Sequence, residues 1–271
     1  MVRSSAQRPV LLRFATRWDF VVLSRAAGVT LLVLALAWLI AAASDEGGIA
    51  WSERAGRVLP FAPFCGAIGV WAALGPVRAR GEARALEALG RTRGQVGAAA
   101  VAGAAIVAVA CAIVIGLVPS VDVAGFYPTA THPSAWRFQD GRFEDTVRGL
   151  WIGEDRAPQQ TQNVEGAGPG PARAWAVPRH GRAAASLATA FAALAMGLIA
   201  ARMLLAAPAL PLRKGELFRS HLFDGAACSL AIASSAVVFQ VAAARHAPAL
   251  SGAAPMLILL GFSVSRYRDL A

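Results

Sequence analysis

The chain has 271 residues, of which 56% are hydrophobic and only 15% charged. Soluble domains carry about 25% charged residues, so this balance excludes an ordinary water-soluble domain and indicates a membrane protein. The formal net charge of +10 comes almost wholly from arginine, with Lys214 the one lysine. These arginines are scattered between apolar runs rather than gathered on one face. That is a poor footprint for nucleic acid and a good orientation signal for a polytopic protein.

A membrane span needs about 20 apolar residues. Six runs approach or meet that length, at 26–44, 58–77, 96–118, 183–201, 225–244 and 247–265, and none contains Asp, Glu, Lys or Arg. The expected fold class is therefore an α-helical polytopic membrane protein, three spans plus three, around a small β-rich insertion. The N-terminal segment 1–25 holds Arg3, Arg8, Arg13, Arg17 and Arg25 against Asp19 alone. The first run ends in "LIAAAS", which is similar to a signal-peptidase site, but 25 residues precede it. That is long for the basic leader region of a signal peptide, so an uncleaved anchor is expected. The loop 44–57 is net acidic.

Between the second and third runs stands "RARGEARALEALGRTRGQ", residues 78–95, with five arginines and two glutamates. Spans one to three with this segment form one predicted unit, 26–118. The insertion 119–182 balances seven arginines against seven carboxylates. Within it "AWRFQDGRFE" reads as a hairpin, since Asp140-Gly141 suits a two-residue type I′ turn. That register sets Phe138 opposite Phe143. "TVRGLWIG" and "ARAWAV" are further strand candidates, and 154–171, rich in Gln, Gly and Pro, is expected to be a loop. The last three spans occupy 183–265. Pro248 and Pro255 make the final one short or tilted. Arg213, Lys214 and Arg219 lie between the fourth and fifth runs, and the tail 266–271 carries Arg266 and Arg268.

Every basic loop falls on one side. By the positive-inside rule both termini are cytoplasmic and the insertion is outside, as in a multi-pass protein of a bacterial inner membrane.

Catalytic chemistry is not apparent. The apolar runs hold no ionisable residue, the usual pointer to ion coupling, and Ser229, Ser234, Ser235 and Gln240 in the fifth are ordinary interhelical hydrogen-bonding groups. Cys65, Cys111 and Cys228 sit singly in apolar runs, without disulfide or metal spacing. His132, His180, His221 and His246 lie in loops or at span ends. A phosphate-binding loop needs Lys followed by Ser or Thr, and the one lysine stands in "RKGE". The chain is expected not to be an enzyme and to carry no cofactor. Energy for any work must come from a partner.

The segment 78–95 is predicted as one helix. On it Arg84–Glu87 and Glu87–Arg91 are spaced to pair, making a self-satisfied surface row. Glu82 instead stacks with Leu86 and Leu89, with Ala85 beside them. A carboxylate on an apolar stripe at a cytoplasmic surface suits a partner's basic pocket. The alternative is that Glu82 pairs with Arg78 while the stripe lies on lipid. Gly90 is placed to cap the helix.

"GEARALEALGRTRG" resembles the cytoplasmic coupling segment of the lipopolysaccharide-export permeases, the LptF/LptG type. There an acidic residue is followed eight positions later by glycine. Here Glu82 and Gly90 keep that spacing, Leu86 and Ala88 fall at apolar positions, and Thr92 replaces the usual serine. "LPFAPFCGAIG" is similar to the family's Pro-led second span, and "APMLILLGFSVSRYRDL" to its last. The resemblance implies a permease subunit of an ABC-type lipid exporter, with Glu82, Leu86, Leu89 and Gly90 forming the ATPase-coupling helix. Implied partners are a cytoplasmic ABC ATPase dimer, a second permease half, periplasmic lipid-bridge proteins and a lipid substrate, lipopolysaccharide or a related one. Two departures stand out. The insertion is about half the length of the family's outer jelly roll, and "SDEGG" stands where basic residues would meet lipid phosphates. Competing readings are a stand-alone secondary transporter, which would require inverted repeats, and a non-transport membrane scaffold.

Overall fold

A computed structural model describes residues 16–44, 50–123, 136–139, 142–145, 150–152, 158–160, 179–206, 214–243 and 246–268. Its body is all-helical, with six helical segments long and apolar enough to cross a membrane. They are α1 (Arg17–Ala43), α2 (Trp51–Val58) continued through a 3-10 turn into α3 (Ala62–Ala79), α5 (Arg93–Leu117), α6 (Arg179–Leu205), α7 (Lys214–Ala243), and a second 3-10 turn (Ala249–Ala253) leading into α8 (Ala254–Arg268). A short helix, α4 (Glu82–Ala88), lies between α3 and α5.

The helices overrun the apolar windows that announce them, because helix limits follow caps rather than hydropathy. α1 begins at Arg17, inside the segment expected to be a basic N-terminal tail. Thr16 is its N-cap: the hydroxyl accepts from the Asp19 amide at 3.3 Å while the Asp19 carboxylate accepts from the Thr16 amide. This reciprocal capping box satisfies two amides that a helix start leaves orphaned. α6 and α7 likewise run past the apolar limits to take in Arg202 and Asp224, each one residue beyond them.

The core is built from α1, α3, α5 and α6. Val70, Leu74, Val77, Val96, Ala100 and Ala104 are buried there with Ala26 and Ala201. Small residues permit the close approach. A Cβ on Gly69 would stand 2.7 Å from the Ala26 carbonyl oxygen of α1. One on Gly103 would strike the Leu23 carbonyl. Without a hydrophobic drive between helices in lipid, such backbone proximity is what dispersion contacts require. By contrast α1 and α7 turn wide apolar faces outward, including Leu31, Leu32, Leu36 and Leu39 on the first and Leu222, Leu230, Val237 and Val241 on the second.

Four short strands follow α5: β1 (Trp136–Gln139), β2 (Arg142–Asp145), β3 (Leu150–Ile152) and β4 (Pro158–Gln160), paired antiparallel in that order. Phe138 pairs with Phe143, and Gln139 with Arg142. These few residues do not support a β-rich insertion as a structural unit. β4 lies within 154–171, expected to be a loop. Asp140, Gly141 and "ARAWAV" lie outside the described residues.

Candidate functional site

The end of the bundle where α1 begins and α8 finishes concentrates the polar chemistry. Three interactions hold it together: Arg91 to Asp19, Tyr267 to Gly94, and Arg202 with Arg266 around Asp224.

The segment expected to be one helix, 78–95, is three pieces. Arg78 and Ala79 finish α3, α4 runs from Glu82 to Ala88, and Arg93–Gln95 open α5. Two glycines make the breaks. Gly81 (φ 73) precedes α4 and Gly90 (φ 87) follows it, both in the left-handed region that glycine enters without steric cost. The Arg91 amide donates to the Leu86 carbonyl at 3.0 Å, and the Gly90 amide to Glu87 at 2.9 Å. This is a Schellman ending with glycine at its left-handed position. Gly90 therefore caps α4 as its place in the sequence predicts. Thr92 then starts α5 with a second capping box, its hydroxyl accepting from the Gln95 amide at 3.2 Å and its own amide donating to Gln95 Oε1 at 3.1 Å. Local capping thus accounts for both Gly90 and Thr92.

The four residues read as one apolar stripe with a carboxylate do not share a face. Leu86 packs against the core beside buried Ala83. Leu89, at the helix end, is 81% exposed. Glu82 is not unpaired: Arg80 Nη1 stands 3.3 Å from its Oε1, both side chains partly exposed. The expected alternative partner, Arg78, is not the one used. The self-paired row also differs. Glu87 accepts from Arg93 Nε at 3.0 Å, rather than from Arg84 or Arg91, because the Schellman turn swings the chain back after Leu89.

Arg91 is drawn away to α1. Its Nη1 donates to Asp19 Oδ1 at 2.8 Å and its Nη2 to Oδ2 at 2.7 Å. The planar guanidinium matches both carboxylate oxygens at once. Trp18 faces the same guanidinium, 5.6 Å from its ring centroid. The Asp19 hydrogen bonds push the Arg91 guanidinium further above its already high pKa. Asp19 therefore caps α1 and ties the α4–α5 turn to it.

A second cluster joins α6, α7 and α8. Asp224 is wholly buried and bonded through Oδ2 to Arg202 Nη1, with Arg266 Nε 3.5 Å from Oδ1. Ser220 Oγ accepts from Arg202 Nη2 at 2.8 Å and from Arg266 Nη2 at 2.6 Å. Sequence reasoning missed both clusters, having taken the apolar runs as free of ionisable groups. The signals were present: "TRWD" has the capping-box spacing, and Asp224 is an isolated acid at the head of an apolar run.

Among the described residues, no group of His, Cys, Asp and Glu is arranged to hold a metal. No protein-family model matches the chain, nor does any curated protein or solved structure.

Proposed function

We propose that the chain is the permease subunit of an ABC-type lipid exporter of the LptF/LptG type in a bacterial inner membrane, with the α4 end cytoplasmic and driven by a separate ATPase dimer. The observation that carries this reading is the mounting of α4. A short helix set off by two left-handed glycines is pinned to the bundle by Ala83, Leu86 and the Arg91–Asp19 pair, yet holds Leu89, Arg84, Ala85 and Ala88 outward. A soluble motor pushing on such a helix would move α1, α3 and α5 together, since all three are tied to it. An exposed leucine at the tip suits an apolar socket, and Glu82, half-exposed beside Arg80, is free to exchange that partner for a basic group of the ATPase.

The remaining parts of the reading are a second permease half, periplasmic lipid-bridge proteins and lipopolysaccharide or a related lipid as substrate, with the strand-bearing segment on the periplasmic side. A stand-alone secondary transporter gains one supporting observation, the buried Asp224 cluster, since ionisable groups within spans are the default pointer to coupling. Its acid is held between two arginines at the α4 end of the helices, however, which favours a structural tie.

The test is the amount of ATPase retained per tagged permease purified from its own host. Leu89→Asp and Glu82→Arg are expected to lose the ATPase: the first sets an unpaired charge in an apolar socket, and for the second, truncating one partner of a buried interfacial charge pair already costs about 2–5 kcal/mol, to which reversal adds like-charge repulsion. Glu53→Arg, on α2 at the opposite end, is the control and should retain it. Glu53 gives up only an exposed pair with Arg57, far from α4, whereas Glu87 is unsuitable as a control because the Arg93 it holds is part of the α4–α5 turn itself. Full retention by both α4 variants, or no ATPase with the wild type, would sink the coupling role.

A further inference from the structure

At the α4 end of the bundle α7 and α8 meet on two rungs, and one side of their seam faces outward. On the inner rung the Phe223 and Phe262 rings lie 5.7 Å apart, centroid to centroid. On the outer rung Ser220 Oγ accepts from Arg266 Nη2 at 2.6 Å. Arg266 follows Phe262 by one helical turn, and its guanidinium stands 6.0 Å from that ring's centroid. Arg219 precedes Phe223 by one turn and so lies on the same side of α7. Phe223 is 61% exposed. Arg219 is exposed too, and no ion pair or hydrogen bond among the described residues holds it. The outward side of α8 is bare beside Phe262: Gly261 is exposed, and a Cβ there would meet nothing within 4 Å. The result is a shallow apolar groove with one arginine on each bank of its mouth.

Charge and depth both single out this mouth. Arg202 and Arg266 share the one carboxylate of Asp224, so the cluster behind the groove keeps an uncompensated positive charge. Arg219 adds a second. Arg266 also keeps bonding capacity: its Nη1 has no hydrogen-bond partner among the described residues, and 28% of the side chain is exposed. The bond to Ser220 fixes the level of the guanidinium. Ser220 lies five residues outside Gly225, where the charge-free run of α7 begins, or about 7.5 Å along the axis. The polar band on each side of the hydrocarbon is about 5–8 Å deep, so the guanidinium stands at the depth of lipid phosphates. The start of α1 differs. Arg17 and Arg25 are exposed there at the same end of the bundle, but they lie on one outward helix face, with no facing helix to make a groove.

We propose that this groove binds one anionic phospholipid of the adjoining leaflet, its phosphate held by Arg219 and Arg266 Nη1 and an acyl chain lying over Phe223, Gly261 and Phe262. Basic pockets between membrane helices at headgroup level are a recurrent setting for such lipids. A guanidinium offers the planar, charge-assisted donors that phosphate oxygens accept. The surplus charge selects the lipid class. A zwitterionic headgroup brings its own cation to a site that is already positive, whereas an anionic one arrives with the missing negative charge. The inference requires only that the six helices cross a bilayer, and stands whether or not the chain couples to an ATPase.

The experiment places the purified full-length protein in phosphatidylcholine bilayers containing a trace of phosphatidylglycerol with a diazirine near the carboxyl end of one acyl chain. After irradiation, adducts on the peptides 218–226 and 258–268 are counted relative to those on 16–25 of α1, which offers exposed arginines at the same level. The wild type should show a clear excess at the groove. A phosphatidylcholine probe carrying the same diazirine should show none on the unaltered protein, which guards against misfolded variants. Arg219→Gln and Arg266→Gln should each lower the excess about fivefold, the weight of one basic residue beside an anionic lipid. The second variant can still donate to Ser220 and so keeps the outer rung. An excess of soluble glycerol phosphate should leave the labelling unchanged. Competition by it would assign the arginines to a soluble phosphate and overturn the lipid. Equal labelling of groove and α1 in the wild type, or an undiminished excess in both arginine variants, would overturn the site. Equal labelling by the two lipid probes would overturn selection by headgroup charge.

Discussion

Two acid–arginine clusters lie at the same end of the bundle and are built on opposite principles. Around Asp19 the stoichiometry is one to one. Arg91 meets both carboxylate oxygens, and the side chains keep 21% and 10% of their surfaces exposed. Around Asp224 one carboxylate faces two guanidiniums, and the acid is wholly buried. The first cluster is a neutral clasp between a helix cap and a turn. The second leaves a surplus positive charge inside the bundle, shared through Ser220. Burial raises the cost of an unpaired charge far more than it raises the net worth of a paired one. The clusters should therefore respond very differently to loss of the acid, although both look like salt bridges.

The largest effect is expected from Asp224→Ala. It would leave Arg202 and Arg266 both directed at Ser220, with no anion between them. Breaking a buried pair from one side costs about 3–5 kcal/mol, and here two like charges remain. The detergent-purified variant should unfold at a markedly lower Tm than the wild type, or fail to accumulate, while Asp224→Glu recovers part of the loss. A Tm for Asp224→Ala within a degree or two of the wild type would remove the distinction between the clusters.

Arg91→Ala should come second. It removes two charge-assisted hydrogen bonds to Asp19, worth about 1.5–3 kcal/mol for bonds to a charged group. Asp19 keeps a partner, because it still accepts from the Thr16 hydroxyl at 2.7 Å. Water can also reach this rim. The loss should be local: amide exchange should quicken in α4 and at the start of α5, with α6–α8 unaffected. Exchange that quickens equally in α7 would show that the two clusters unfold as one unit.

The contrast was only partly legible in the sequence. Six spans follow from runs long enough to cross a bilayer, a constraint with few alternatives, but their limits do not: α1 begins nine residues before its run and α7 eleven before. The helix extensions through Arg202 and Asp224 did not follow. Hydropathy windows stop at the first charge, whereas a helix stops where its last carbonyls are satisfied. Gly90 was readable as a cap because its requirement is local. The partner of Glu82 was not, because the left-handed break at Gly81 lies between Arg80 and the helix and brings the two side chains together across it. The Arg91–Asp19 pair spans 72 residues. No spacing rule within one helix finds such a contact. Only the capping-box pattern around Asp19 hinted that this lone acid in a basic segment had a structural task.

The smallest effect is expected from Arg266→Gln, and it bears most directly on the surplus charge. Arg266 Nε and Asp224 Oδ1 are 3.5 Å apart and neither has a hydrogen-bond partner, so the attraction between them is long and poorly aligned. Arg202 already satisfies the other oxygen. Removing the Arg266 charge ends its repulsion with Arg202 and leaves a neutral pair in the bundle. A glutamine amide can still donate to Ser220. The lost stacking over Phe262, 6.0 Å from the guanidinium to the ring centroid, weighs against this gain. The Arg266 side chain is 28% exposed, and pairs with such access to solvent contribute about 0–1 kcal/mol. Thermal unfolding should therefore differ from the wild type by no more than that. Arg202→Gln, measured alongside, should cost several times as much, since Asp224 would lose its one bonded partner. If the two variants lose stability equally, the carboxylate is shared evenly between the arginines. The cluster would then be a symmetric triad rather than a buried pair with a loosely attached third charge.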